Sequence, residues 1–332
     1  MRPRLVQLGA ARFPLETPFT IARGTRLAAE LVTVSLHDGT HFGRGECQPF
    51  ARFGESPDSV LAQIEAIALA EMPGPDALQT FAPGAARNAL DCALWDLLAR
   101  QAGRPVWQLA GLAPPEPVTT LLTISLDTPA AMHRAAIAAA SRPVLKVKLG
   151  GAGDLDRLAA VHKGAPGARL VVDANESWTL ADYLALAPQF AQLGVALIEQ
   201  PLPAAAQQAL RGQPRPVPLC ADESCIDRTS LPALAGLYDL INIKLDKCGG
   251  LTEALALRAA ARAQGFGIMV GCMISTSRAI APALLVAQGA EFADLDGPLW
   301  LRADRFNGLK YEGAQVHPAA PGFWGQPPAA RG

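Results

Sequence analysis

Five stretches decide the fold of this chain: VLKVKLG (144–150), LVVDANES (170–177), ALIEQPLP (196–203), LCADES (219–224) and LINIKLDK (240–247). Each is an apolar run that closes on charge: Lys146 and Lys148, then Asp173, Glu199, Asp222 and Lys244. Along the series 148, 173, 199, 222, 244 the intervals are 25, 26, 23 and 22 residues. One strand and one helix fill such an interval, so the spacing predicts parallel strands with each charge at a strand's C-terminal end. In a closed (β/α) barrel those ends form one face, where catalytic residues collect.

Working outward from this block, eight strand candidates span Val118 to about Pro298: TLLTISL, VLKVKLG, RLVVDAN, ALIEQ, PLCADES, LINIKL, GIMVGCM and FADLDG. Eight is the number a TIM-type barrel needs. Ala/Leu-rich stretches such as TPAAMHRAAIAAA and LTEALALRAAARAQG read as the intervening helices. The first hundred residues read differently. Strands are expected at Leu31–Leu36 and His41–Cys47, joined through Asp38-Gly39. A helix follows with Ser56 as N-cap and Pro57 at its first position, and then a strongly amphipathic one, GAARNALDCALWDLLARQAG, ending near Gly103. The expected organisation is an α+β capping domain (1–112), a modified (β/α) barrel (113–298) and a C-terminal segment (299–332) that returns to the capping domain and ends in a frayed Pro/Gly-rich tail.

Composition excludes several function classes. The chain has 332 residues, 50% hydrophobic and 18% charged, with net charge −1 and no basic block, so no nucleic-acid partner is expected. No apolar run reaches the ~20 residues of a membrane span, and the first residues lack a signal-type apolar core, so the expectation is a cytoplasmic protein with no membrane partner. The six cysteines make no CxxC pair and read as reduced core thiols. Lysine is scarce: of Lys146, Lys148, Lys163, Lys244, Lys247 and Lys310, four fall in the two strand-end clusters. Unlike arginine, lysine can be tuned to give and take protons.

Asp173, Glu199 and Asp222 could each be a strand-end cap, but three in register beside two lysine clusters point to a shared site. Three oxygen ligands suit Mg²⁺. Glu223 competes with Asp222 for the third place, because side chains alternate and only one should face the axis. Asn175 and Glu176 are candidates to brace the ligands. Lys146 and Lys148 share one face by the same alternation, and each is expected to lower the other's pKa toward a neutral amine. Of Lys244 and Lys247 only Lys244 is expected to face the axis, with Lys247 in the Gly249-Gly250 loop. Asp294 and Asp296 in FADLDG share a face and suit a cationic substrate group. Cys272 in GCMISTSRAI is expected to line the pocket as a contact, since no histidine is positioned to activate it.

Together the motifs KVK, DAN, EQP, ADES and NIK resemble the enolase superfamily in its muconate-lactonising branch. The longer stretches FTIARGTR, GECQPFARFGES, GAARNALDCALWD and FADLDGP are similar to dipeptide epimerases of the L-Ala-D/L-Glu type within it. The resemblance spans nearly the whole chain. It implies a Mg²⁺ held by Asp173, Glu199 and Asp222, a substrate carboxylate bound there, and removal of the adjacent carbon's proton. It further implies Lys148 and Lys244 as the acid/base pair, with Lys146 stabilising the enolate. Asp294 and Asp296 would hold a dipeptide's ammonium and Arg23 its side-chain carboxylate, with Thr123 and Cys272 lining the site. The implied role is in murein-peptide metabolism, with a homo-oligomer left open. The competing outcomes are an N-acylamino acid racemase, an o-succinylbenzoate synthase or cycloisomerase-type lyase, and an inactive binding barrel.

Overall fold

A computed structural model describes residues 3–68 and 72–327. The N-terminal part is an antiparallel sheet of β1 (Arg4–Ile21), β2 (Gly24–His37) and β3 (Phe42–Cys47), in that order. Asp38 Oδ1 accepts from the backbone of Thr40 and His41 and sets the expected β2–β3 turn. The long strand β1 was not expected. Its sequence carries Pro14 and Pro18, which break any alternation, and the pairing register shifts between Pro14 and Phe19. As an edge strand it tolerates the missing donors. β1 and β2 meet at Ala22-Arg23, so FTIARGTR is the tip of a long hairpin.

A helix at Pro57–Ala68, with the Ser56 hydroxyl accepting from Ser59 N, packs near the sheet; residues 69–71 lie outside the described residues. The helix Ala85–Ala102 ends at Gly103, whose φ is +60°. It is not amphipathic in its surroundings. Arg87, Asn88, Asp91 and Asp96 are buried along with its alanines and leucines. The helix is sandwiched between β3 and the barrel, and its polar residues bond across that seam: Asp91 accepts from Thr252, and Asn88 donates to Asp246 over 2.7 Å. On the other side it lies against Gly43 and Gly45 of β3. A Cβ at either glycine would overlap the Ala93 or Ala89 carbonyl.

The remaining strands are β4 (Val118–Thr119), β5 (Leu122–Ile124), β6 (Val144–Lys148), β7 (Arg169–Asp173), β8 (Val195–Glu199), β9 (Leu219–Ala221), β10 (Leu240–Ile243), β11 (Gly267–Gly271), β12 (Phe292–Asp294), β13 (Tyr311–Glu312) and β14 (Gln315–Val316). β5 to β12 form one parallel eight-stranded sheet in chain order. A bridge between Thr120 and Ala293 brings its edges together, which makes the barrel. The crossovers depart from one helix per strand. Between β8 and β9 there is only a 3₁₀ turn at Ala204–Leu210, and between β9 and β10 only short turns at Arg228–Leu234. These are the shorter intervals, and Pro203, Pro214 and Pro216 deny the first of them a regular helix.

Inside the barrel Leu121, Val171, Leu197, Cys220, Leu240, Met269 and Phe292 make an apolar plug. Two residues further along six of these strands, the same face carries Asp173, Glu199, Asp222, Asn242, Gly271 and Asp294. The period-two pleat therefore stacks a polar layer directly on the plug.

The C-terminal segment bonds to both parts. β14 pairs with β4, Arg302 N donates to Pro14 O, and Trp324 Nε1 donates to Cys92 O. Phe323 and Trp324 are buried, so this stretch is docked where fraying was expected; residues 328–332 lie outside the described residues.

Candidate active site

Asp173, Glu199 and Asp222 end three adjacent strands, β7 and β8 at their last residue and β9 one residue beyond. One carboxylate oxygen from each lies within 4.8 Å of the others, and all three are buried. That donor set fits a hard divalent cation. One further observation supports the fit. Glu199 Oε1 accepts from Asn242 Nδ2 at 2.7 Å, while buried Oε2 has no aligned hydrogen-bond donor, although Lys146 Nζ stands 2.8 Å away. Burial, and then the charge of Asp173, push the Glu199 carboxyl up to about 7. Burial opposes the charge on Asp173 and Asp222 too, but the lysines beside them outweigh it and hold both below the usual carboxylate range, so of the three Glu199 alone is left short of positive charge.

The lysines flank this triad. Lys148 on β6 donates to Asp173 Oδ2 at 2.6 Å, and Lys244, just past β10, donates to Asp222 Oδ2 at 2.8 Å. Lys146, wholly buried, lies 2.7 Å from Asp294 Oδ2, 2.8 Å from Glu199 and 3.1 Å from Asp173. Its pKa runs opposite to expectation. Burial disfavours the ammonium, but Asp294, Glu199 and Asp173 outweigh it and hold the pKa well above the usual value. Burial likewise opposes the charge on Lys244, and Asp222 more than restores it. The neighbouring carboxylates, absent from an argument about two lysines alone, decide the sign.

Two expectations need correction. Lys247 is not in the Gly249-Gly250 loop but buried just before it. It sits on a single helical turn, Leu245–Cys248, and donates to Asp222 Oδ1 at 2.6 Å, to Asn242 O at 3.0 Å and to Asp222 O. Glu223 also reaches the pocket beside Asp222. β9 ends at Ala221, so alternation no longer separates them.

The mouth is covered by the hairpin tip. Arg23 donates to Glu223 Oε1 at 2.8 Å and to Asn175 O at 2.9 Å, and lies 3.3 Å from Glu176. Glu176 is also held by Arg52 at 2.7 Å. Asn175 and Glu176 thus support the rim, both at positive φ. Arg26 lines the same pocket and forms no ion pair among the described residues. Thr123 and Cys272 line it too. Burial, then Asp294, raise the Cys272 thiol well above its ordinary pKa, which keeps it a thiol. Asp296 Oδ2 accepts from Thr123 N at 2.8 Å and Trp300 Nε1 at 3.2 Å, and burial with Asp294 alongside raises it to about 6. Asp294 Oδ1 is buried without a partner.

Lys247 and Glu223 were named from the sequence but misplaced, whereas Asn242 and Gln200 were not singled out at all. Gln200 Oε1 accepts from the backbone of Asp222 and Ser224, fixing the third carboxylate, and its own φ is +37°. The EQP motif contained this residue, but nothing in the period marks an amide as a brace.

Residues 130–323 match the family model described as enolase C-terminal domain-like. Residues 6–111 match that of the mandelate racemase / muconate lactonizing enzyme N-terminal domain. The chain belongs to the enolase superfamily. Within that superfamily it is 47% identical to the L-Ala-D/L-Glu epimerase of Escherichia coli (strain K12), over 95% of this chain and 99% of that protein. It is 42% identical to the N-acetyl-D-glutamate racemase of Pseudoalteromonas sp, over 89% and 95%. Among solved structures, an Agrobacterium tumefaciens enolase family member with homology to dipeptide epimerases, with bound sodium and L-Ala-L-Glu, superimposes with a TM-score of 0.95 at 49% identity, over 97% of this chain and all of that one. An Enterococcus faecalis dipeptide epimerase complexed with Mg and L-Leu-L-Tyr gives 0.90 at 29% identity, over 98% and 99%.

Proposed function

We propose that this chain epimerises dipeptides of the L-Ala-D/L-Glu class, moving the α-proton of the second residue from one face to the other, as murein-peptide metabolism requires. One observation carries the reading. The lysine strands β6 and β10 bracket the carboxylate strands β7, β8 and β9, and each lysine bonds a different outer carboxylate. A base at each side is what 1,1-proton transfer needs.

Asp173, Glu199 and Asp222 would hold Mg²⁺, which supplies a Lewis acid for the substrate carboxylate. Lys148 and Lys244 take the α-proton from one side and return one from the other. Lys146 keeps a fixed positive charge on the pocket floor against the charge that develops on the carboxylate. The unpartnered Asp294 Oδ1 and the Asp296 carboxylate supply acceptors for the α-ammonium of the first residue. Thr123 donates to Asp296 and orients it, and Cys272 is a wall contact.

Of the two arginines on the hairpin, Arg23 has its donors engaged by Glu223, Glu176 and Asn175. Arg26, with no carboxylate partner among the described residues, is the better receptor for a glutamate side chain. We therefore assign Arg23 to closing the mouth and Arg26 to the side-chain carboxylate.

The Pseudoalteromonas relative supports a second reading, racemisation of N-acylglutamate. An N-acyl group has no ammonium and leaves the buried Asp294–Asp296 pair unmatched. The test is α-proton exchange in D₂O with Mg²⁺ and each of L-Ala-L-Glu, L-Ala-D-Glu and N-acetyl-glutamate. Deuterium at the glutamate α-carbon with formation of the other dipeptide epimer is expected. Exchange only with N-acetyl-glutamate would select the second reading.

A further inference from the structure

A cleft of about 290 Å³ lies on the other side of the wall behind Asp296. It shares Thr123 with the active-site pocket and is otherwise separate from it. The wall between them is the β1 segment 17–21. Thr17, Pro18 and Thr20 line the outer cleft, and Phe19 and Ile21 line the active site. Both backbone groups of Thr20 are tied to the loop after β5. Thr20 N donates to Ser125 Oγ at 2.7 Å, and Leu126 N donates to Thr20 O at 3.0 Å. Phe19 meets Trp300 edge to face, with ring centroids 4.7 Å apart. Trp300 lines the outer cleft while its Nε1 donates to Asp296.

We infer that the Phe19–Trp300 contact is the wall that limits substrates to two residues, by closing the space beyond the α-ammonium position. The inference rests on the dipeptide reading above, in which that ammonium lies against Asp294 and Asp296. A third residue on the amino side would have to occupy the wall itself. The ground behind it is polar: Thr17, Thr20 and Ser125 carry hydroxyls there, those of Thr20 and Ser125 bonded to Thr25 and to the Thr20 backbone respectively, and Asp127 offers a carboxylate for the displaced ammonium. Apolar rings packed edge to face exclude both water and a polar chain from the gap. Phe19 and Trp300 thus act as specificity residues through shape, while Asp296 acts through charge.

The two contributions separate in one experiment. L-Ala-L-Glu and Gly-L-Ala-L-Glu are compared in the D₂O exchange assay with wild type, Trp300→Ala, Phe19→Leu and Asp296→Asn. The wild type is expected to exchange the dipeptide and to be at least tenfold poorer on the tripeptide. Trp300→Ala is expected to raise kcat/KM for the tripeptide at least tenfold above the wild-type value, and Phe19→Leu to raise it less. Asp296→Asn, which keeps the wall, should lower the dipeptide value and leave the tripeptide value no higher than wild type. Phe19→Leu keeps an apolar side chain at that position and serves if Trp300→Ala does not fold. Wild type that handles both peptides equally, or wall variants with no gain on the tripeptide, would overturn the inference. Wild type inactive on the dipeptide would instead overturn the proposed function, and this inference with it.

Discussion

Lys148 Nζ lies 2.6 Å from Asp173 Oδ2, and the register of β6 and β7 pairs these two residues directly. Lys244 Nζ donates to Asp222 Oδ2 at 2.8 Å across the triad, although the register of β9 and β10 does not set these two side by side. On the proposed function, each base would be held at a fixed side of the site by a carboxylate that would also serve the cation. Replacing either lysine with alanine leaves a base on one side only. Lys148→Ala and Lys244→Ala are each expected to lower epimer formation by about 10²–10⁴-fold. Each variant should still wash the α-proton out of one substrate epimer and not the other. The check is NMR of both epimers in D₂O. A single variant that epimerises at the wild-type rate would remove the two-base mechanism.

The two hairpin arginines differ in what surrounds them. Arg23 bonds Glu223 and Asn175 O, whereas Arg26 lines the pocket without an ion-pair partner among the described residues. Losing a charged hydrogen bond to substrate costs roughly 1.5–3 kcal/mol, about 10- to 150-fold in kcat/KM. Arg26→Leu is expected to show that loss for L-Ala-L-Glu and little for a dipeptide with an apolar second residue. Arg23→Leu should weaken both peptides alike, because it loosens the mouth. The reverse pattern in a dipeptide panel would return the side-chain role to Arg23.

Much of this arrangement was legible in the sequence, and the limits have physical causes. The 22–26-residue spacing exposed the barrel because parallel strands must be separated by a crossover, and the final charges of each run marked the functional face. β1 was hidden because an edge strand may carry prolines and need not alternate. The helix Ala85–Ala102 looked one-sided, since a polar residue is presumed wet. Asn88 and Asp91 are dry because the barrel supplies their partners, and that surface lies about 160 residues away in sequence, at Asp246 and Thr252. Lys247 was misplaced for a related reason. Its distance from Lys244 predicts a different face on a strand, but the chain turns into a helix there and folds the side chain back onto Asp222.

Gly45 offers a test of how the capping part is packed. Its φ is not in the left-handed region, so its need is for space, with the Ala89 carbonyl where a Cβ would stand. Gly45→Ala is expected to cost about 1–3 kcal/mol, as overpacking typically does. Gly9 in the same sheet has nothing within 4 Å of where a Cβ would stand, and Gly9→Ala should stay within about 0.5 kcal/mol. Denaturant midpoints of both variants decide the matter. Equal midpoints would mean that the helix can move off β3 without penalty.

Asp246 gives the fold a pH dependence whose sign can be worked out. It is buried at the seam between capping sheet and barrel. Burial outweighs the bonds from Asn88 and Gln48 N, pushing the carboxyl from 3.8 up to about 7. Between about pH 4 and 7 the unfolded chain therefore carries an ionised carboxylate while the folded chain keeps the proton. The folded state binds more protons, so stability falls as pH rises through this window and levels off above it. Both native hydrogen bonds end on Oδ1, which an amide oxygen can replace. Asp246→Asn should thus keep the contacts and remove the slope, gaining on wild type between pH 4 and 8 by at most ~4 kcal/mol. Urea melts of both proteins at the two pH values measure the gain. A constant difference would mean that Asp246 is already ionised in the fold at the lower pH.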